Sequence, residues 1–485
     1  MKKLFTSIAL VAVAMTTFAG GLLTNTNQSA SFVRNPMRYA SLETDAIYFN
    51  PAGSAFFNDG WSFSANWQMI WQDRDVFAGK NGQEFKGSVY VPCMPTLFAA
   101  YKTGKWTFSG FFGMPGGGGK AEFENGLPIF NNMVNGLYAS GLAGVNPALA
   151  GVTGYNTTST FTSTQYLFSL QLGAAYQIND NLSVYGGIRT NYTSLSYEGA
   201  IKTTFPNGAM YNTGSAEVPM SAIPALAPYE AAVLAAAPNY TLEMTQTGIA
   251  FAPIIGVDYK VGDFNFGVKY EFRAVNIIEN DTDASTSDKL LENQPTLADG
   301  VKFRNDAPAL LTLGASWDIT SRLKVMGGYT YYFDKDAKIE SLLTKRTLSR
   351  NTFEILGGVV MGGYTYYFDK DAKIESLLTK ANSMRTLSRN TFEILGGVEY
   401  KLTDKWLLST GFQFSDFGVN PSYVSDISFI NDSFTVGAGA KYSINEKWDL
   451  NFGACYANYA PGTSLSGSYY KRKTYNVAVG VDFRL

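Results

Sequence analysis

Residues 475–485 alternate without a fault: Tyr475, Val477, Val479, Val481, Phe483 and Leu485 on one side, Asn476, Ala478, Gly480, Asp482 and Arg484 on the other. A period of two sends successive side chains to opposite faces of a β-strand. Residues 434–442 repeat the pattern, with Phe434, Val436, Ala438, Ala440 and Tyr442 set against Thr435, Gly437, Gly439 and Lys441. In residues 406–414 the mainly apolar face is Trp406, Leu408, Thr410, Phe412 and Phe414. Strands of about ten residues, apolar on one face and small or polar on the other, are what a transmembrane barrel needs. A soluble sandwich shows the same alternation, so the strands alone leave two folds open.

The turns separate the two. Six times an aromatic residue leads through a tight polar turn to another large apolar residue: 101–106 (YKTGKW), 176–182 (YQINDNL), 259–264 (YKVGDF), 317–323 (WDITSRL), 400–406 (YKLTDKW) and 442–448 (YSINEKW). Short turns flanked by rings fit the periplasmic rim of an outer-membrane barrel, where an aromatic side chain sits at headgroup level. At the other end the connections are long, about 124–163, 200–242, 276–305, 416–432 and 459–473. Six turns join six pairs, and one more strand at each end makes fourteen.

The N-terminus supplies the compartment. Lys2 and Lys3 precede an apolar stretch over residues 4–18, followed by Ala19, Gly20 and Gly21. That is the layout of a secretory leader, predicted here as residues 1–19. Charged residues make up only 16% of the chain, below the roughly 25% of a soluble domain. No later segment reads as a spanning helix; residues 219–238 come nearest but hold four prolines and Glu230. A secreted chain this apolar is stable in lipid as a closed barrel, which pairs every backbone group internally.

Composition also removes function classes. There is no histidine, which excludes Ser-His and Cys-His catalysis and His-ligated zinc. Two cysteines, Cys93 and Cys455, are too few for a disulfide scaffold or a four-cysteine metal site, and free thiols are expected. With 38 basic against 40 acidic side chains, a nucleic-acid surface is not expected. Neither a metal nor another cofactor is expected, and the chain does not read as an enzyme.

One stretch complicates the strand count. Residues 326–345 recur unchanged as 361–380, and 346–359 recur as 385–398, so that 326–359 and 361–398 are tandem duplicates. Were both copies in the wall, the barrel would have sixteen strands. The junction (GGVVMGG, 357–363) then has to turn at the rim, where its β-branched residues suit a hairpin poorly. The expectation is therefore fourteen strands, with residues 323–333 and 391–402 adjacent and 334–390 forming one outer loop. Tyr364, Tyr366 and Phe368 keep their alternation and suggest a hairpin within that loop.

Two further features point to chemistry. Pro115 and Gly116, Gly117, Gly118 and Gly119 fall in strand three, where proline lacks a ladder donor and glycine offers nothing to pack, so they are predicted to break it. Two outer connections are unusually apolar: Leu127, Ile129, Phe130 and Met133 in one, Ile223, Leu226, Val233 and Leu234 in the other. Each is expected to form a short helix, and exposed apolar patches mark binding surfaces.

Asn50, Pro51, Ala52 and Gly53, about thirty residues into the secreted chain, together with this layout, resemble the FadL/TodX family of outer-membrane transporters for long-chain fatty acids and other hydrophobic compounds. The resemblance implies an all-β fold: a monomeric, transmembrane, antiparallel β-barrel of fourteen strands (residues 60–485) with an N-terminal hatch (residues 20–59) inside the lumen. It implies capture of ligand by the two apolar loops, a pocket reached by Leu22 and Leu23, and an inward kink at Pro115–Gly119 for lateral release. The partners implied are fatty acids or aromatic hydrocarbons and outer-membrane lipid. A general diffusion porin or a receptor-like barrel is the alternative.

Overall fold

The computed structural model describes residues 26–79, 82–123, 125–293, 295–333, 339–340, 347–348, 373–374, 384–385, 390–417, 431–463 and 467–485. The leader and the pair Leu22 and Leu23 lie outside the described residues, as do Tyr364, Tyr366 and Phe368.

Fourteen strands form one closed antiparallel sheet. They are β1 (Gly60–Phe77), β2 (Glu84–Thr103), β3 (Trp106–Phe123), β4 (Asn156–Gln177), β5 (Leu182–Thr204) and β6 (Asn239–Val261). Then come β7 (Phe264–Glu271, resuming at Ile277–Thr282), β8 (Lys302–Arg304, resuming at Ala309–Asp318), β9 (Leu323–Phe333) and β10 (Phe392–Lys401). The last are β11 (Trp406–Asp416), β12 (Ser433–Ser443), β13 (Trp448–Tyr459) and β14 (Tyr469–Arg484). Closure comes from β14 on β1, in register from Ser62 opposite Arg484 to Phe77 opposite Tyr469. The barrel is lopsided. β4, β5 and β6 have 22, 23 and 23 residues, about twice the ~9–11 needed to span, and so project beyond the bilayer.

The strand count expected for the duplicated stretch holds; most of residues 334–390 lie outside the described residues. β9 comes from the start of the first copy and β10 from the end of the second, and they pair directly from Leu323 opposite Tyr400 to Tyr331 opposite Phe392. Their adjacency leaves no room for two more strands. Ile339–Glu340 pairs with Thr347–Leu348, and Lys373–Ile374 with Met384–Arg385, in two short separate ladders.

The lipid face carries the alternation read from sequence: Trp61, Phe63, Trp67, Trp71, Val477 and Val479 are all exposed. At the short-turn end the rings pair off across strands, Trp106 with Tyr176 at 4.7 Å and Trp406 with Tyr442 at 4.7 Å. This is the aromatic girdle the turn motifs predict. Cys93 and Cys455 are unbridged, on β2 and β13.

Inside lies the hatch. Ser29 caps α1 (Ala30–Arg34) by accepting from the Phe32 amide. α2 (Ala46–Phe49) follows, and Asn50 leads into a tighter turn over Pro51–Phe56, with proline at its first position. The wall makes room with glycine. On β7, β8 and β12, Gly267, Gly314 and Gly437 face the hatch backbone so closely that a Cβ on any of them would collide with Tyr39 or Val33.

Candidate functional site

The hatch is fixed by charge and by hydrogen bonds. Arg34 donates to Glu399 of β10 (2.8 Å) and to Glu43 (2.9 Å). Arg38 donates to both oxygens of Asp45 (2.8 and 2.9 Å), to Glu399 (3.3 Å) and to Glu43. Lys441 of β12 closes the cluster on Glu43. Three cations thus meet three carboxylates, and Arg34 and Arg38 are fully buried. Such a cluster is tolerable out of water only because its charges are mutually paired. Burial by itself would raise the carboxyl pKa of Glu43, but Lys441, Arg38 and Arg34 hold it well below the usual range. A cavity of about 260 Å³ reaches this cluster from the short-turn end, past Arg322, Lys324 and Lys401.

The wall also satisfies the hatch carbonyls, which a short irregular segment cannot pair internally. Gln171 donates to Ile47 (2.8 Å), Lys269 to Tyr48 (3.1 Å), Ser183 to Ala52 (2.8 Å) and Thr107 to Ser54 (3.2 Å). The four-residue hatch motif sits at the centre of this anchoring. Asn50 donates to Asp258 of β6 (2.5 Å) and to the carbonyl of Ser41 (3.1 Å), while Asn265 donates to the same Asp258 oxygen at 3.0 Å. Pro51 starts the turn, Ala52 is fully buried, and Gly53 leaves space for Leu42 and Ser41.

Tyr48 lies between two wall cations, Arg189 at 4.4 Å and Lys269 at 4.9 Å from its ring. Arg189 is bidentate to Glu271, both oxygens at 2.8 Å, whereas Lys269 makes its hydrogen bond to the Tyr48 carbonyl. This small cluster therefore carries two cations and one carboxylate, all buried.

The glycine run does not end strand three. β3 continues through it, and what breaks is its pairing with β2. The ladder holds from Thr103 opposite Trp106 to Leu97 opposite Phe112, then resumes only at Val89 opposite Ala121. Residues 90–96 and 113–120 have no register partners across the gap. On the β4 side the register slips twice, between Gly113 and Gly116 and between Gly116 and Gly119. Gly117 and Gly119 have φ of 107° and 70°, which side chains rarely adopt, so the strand bulges here. Sequence reasoning had Pro115 but missed the opposite edge, where Pro92 and Pro95 of β2 also lack donors. Trp67 donates to the freed Pro92 carbonyl from the lipid side (2.9 Å). From inside, one hatch residue bridges both edges: Thr96 donates to the Gln28 carbonyl (2.6 Å), and the Gln28 amide donates to the Met114 carbonyl (2.9 Å).

Beyond the hatch the lumen holds an extended apolar cluster. Val89, Val91 and Met94 of β2, Phe161 of β4, Tyr197 of β5 and Met244 of β6 belong to one cluster with the outer connections. The first apolar connection forms α3 (Pro128–Val145), a helix of 18 residues where a short one is expected. The second forms α4 (Glu230–Ala235). Leu127, Leu226 and Val233 are buried in the cluster and Ile223 packs against it, so the structure brings these four together. Leu234 is instead 39% exposed, because it points off the other side of α4. Ile129, Phe130 and Met133 lie on α3, with their side chains outside the described set. Sequence reasoning missed Tyr138, whose hydroxyl donates to the Val233 carbonyl and joins the two helices. Its ring packs edge-on to Tyr155 at 5.2 Å.

Solved structures share this architecture. They include a Pseudomonas aeruginosa FadL homologue (15% identity, 96% of this chain and 100% of that one, TM-score 0.59) and the Pseudomonas putida toluene transporter TodX (14%, 96% and 100%, TM-score 0.56). The Ralstonia pickettii toluene transporter TbuX is similar at 14% identity, 97% and 99% coverage and TM-score 0.54. No curated protein matches the chain. The model of the outer membrane protein transport protein family (OMPP1/FadL/TodX) matches residues 10–464. With its closed barrel, internal hatch and girdled outer-membrane wall, the chain belongs to that family of transport proteins.

Proposed function

We propose that the chain carries hydrophobic compounds, long-chain fatty acids first among them, from the outer surface into the outer membrane as a single barrel. The observation that carries this reading is the continuity of the apolar cluster. It runs from Leu226 and Val233 in the outer connections down to Val91 and Met94, which lie within the unpaired stretch of β2. An apolar tail gains about 0.8 kcal/mol for each CH2 it buries, so such a path extracts hydrophobes from dilute solution without covalent chemistry. Release sideways at residues 90–96 and 113–120 keeps the tail out of water, with Gln28 as the inner closure. The excess positive charge around Tyr48 supports an anionic head group, hence a fatty acid. A diffusion porin is poorly supported, because residues 28–41 and 44–55 of the hatch are buried in the lumen.

A second reading has an observation of its own. Tyr138, Tyr155 and Phe205 form an edge-to-face trio at 5.2, 5.9 and 6.4 Å, a setting suited to an aromatic hydrocarbon. Native mass spectrometry of the purified protein separates the readings. Co-bound fatty acid, lost on Lys269→Met, is the expected result. Exchange with toluene but not with fatty acid favours the second reading. An empty lumen with ion conductance would overturn both.

A further inference from the structure

The lipid face of the barrel carries one feature that transport from the lumen does not explain. Directly on the short-turn side of the interrupted ladder, Ala99 of β2 and Gly110 of β3 stand opposite each other, with Ala65 of β1 diagonal to Ala99. Elsewhere the outward positions of these strands are large: Phe63, Leu97 and Phe112 are 36%, 52% and 42% exposed. Small residues among large ones make a slot, of about 560 Å³, floored by Ala65, Ala99 and Gly110 and walled by Phe63, Leu97, Phe112 and Phe483. That volume falls in the range of ligand pockets, roughly 300–1,000 Å³. Its walls are apolar side chains, so it offers a head group nothing to bind.

We infer that this slot is an exit-side binding site for the apolar tail of the transported compound, resting on the lateral-release reading above. The argument for that occupant is continuity. Leu97 and Phe112 are at once the first paired residues below the interruption and part of the slot wall. The slot floor begins about 7 Å further along the strands, two residues at ~3.3 Å each, within reach of a tail whose head has not yet left the lumen. A tail seated there is held by burial alone and has no water to cross. The outer membrane's own acyl chains are the competing occupant. They would enter from the bilayer and owe nothing to the lumen.

The test uses the full chain in lipid vesicles and a long-chain fatty acid bearing a terminal diazirine. Probe supplied from the outer-loop side is expected to cross-link both the outer-lumen cluster and the slot residues Phe63, Leu97 and Phe112. Filling the slot with Gly110→Leu is expected to cut slot adducts about tenfold, the factor for two methylenes left unseated, while lumen adducts persist. A Cβ at Gly110 would lie 3.2 Å from the Leu172 side chain, which is free to turn, so the barrel should still fold; Ala99→Leu is the second variant. If lumen adducts form and slot adducts do not, this inference fails while the transport reading stands. If slot adducts are as strong when the probe is dissolved in the bilayer beforehand, membrane lipid is the occupant and the inference is overturned. Loss of lumen adducts from the unaltered chain would overturn the transport reading itself.

Discussion

The hatch end and the outer end of the lumen are lined by the same strands but held by different forces. On β5, Ser183 and Arg189 serve the hatch, while Leu195, Tyr197 and Ile201 face the outer cluster. On β6 the contrast is Asp258 against Met244, Leu242 and Tyr240. Ion pairs and carbonyl hydrogen bonds are directional and costly to leave half made. Apolar burial is non-directional and tolerates many shapes. One end therefore fixes a segment in one place; the other, on the function proposed above, would take guests that differ in length and outline.

The sharpest way to break that contrast is Arg38→Ala, which leaves Glu43, Asp45 and Glu399 short of a cation in a buried site. The expected loss is about 3–5 kcal/mol of local stability. It should appear as fast hydrogen exchange across residues 30–49 and raised ion conductance in a planar bilayer. Unchanged exchange would mean the cluster does not hold the hatch. Next comes Gly314→Val, whose side chain would strike the Tyr39 backbone; overpacking of this kind costs about 1–3 kcal/mol. Gly327→Val is the control, because no atom lies within 4 Å of its Cβ position. Equal effects from the two would show that the glycine seat is not specific to the hatch.

At the outer end, Tyr138→Phe removes a single hydrogen bond between α3 and α4, worth about 1 kcal/mol. Weaker binding of a fluorescent fatty acid, with hatch exchange unaltered, is the expected result; a change at the hatch would tie the two ends together. Smallest is the response to mild acid. The folded state favours charged Glu43, so its contribution is complete above the ordinary carboxylate range and is lost only as pH falls through the depressed folded value. Hatch exchange should then be insensitive to that group from about pH 8 to about pH 5 and rise below the usual carboxylate range. If Glu43→Gln leaves that acid rise unchanged, the charge arrangement around Glu43 is not its source.

The wall was legible in sequence because its signals are local: alternation sets the faces, and aromatic-bracketed turns such as residues 400–406 set the count. The apolar connections could be read for the same reason, though Leu234 shows that a greasy stretch does not say which of its residues turns inward. The anchoring network was not readable. Arg34 and Glu399 stand 365 positions apart, and no local pattern joins them. The interruption was half readable. Pro115 and its glycines were visible, but Pro92 and Pro95 gain meaning only when β2 is seen opposite β3. Where Leu22 and Leu23 fall is outside the described residues.

The pairing of β9 with β10 also says something about growth. The last residues of the first repeat match those of the second, so either copy offers the same strand, and the one used is the copy followed by the 400–406 turn. Between the two strands the chain is about three times as long as it would be with one copy, which adds only about 1 kcal/mol of closure entropy. A closed wall is a parity filter. It admits insertions that leave and re-enter at the same rim, whatever their length, and rejects those that would add a single crossing. Surface variety can thus accumulate on the outside of this barrel while its circumference stays the same.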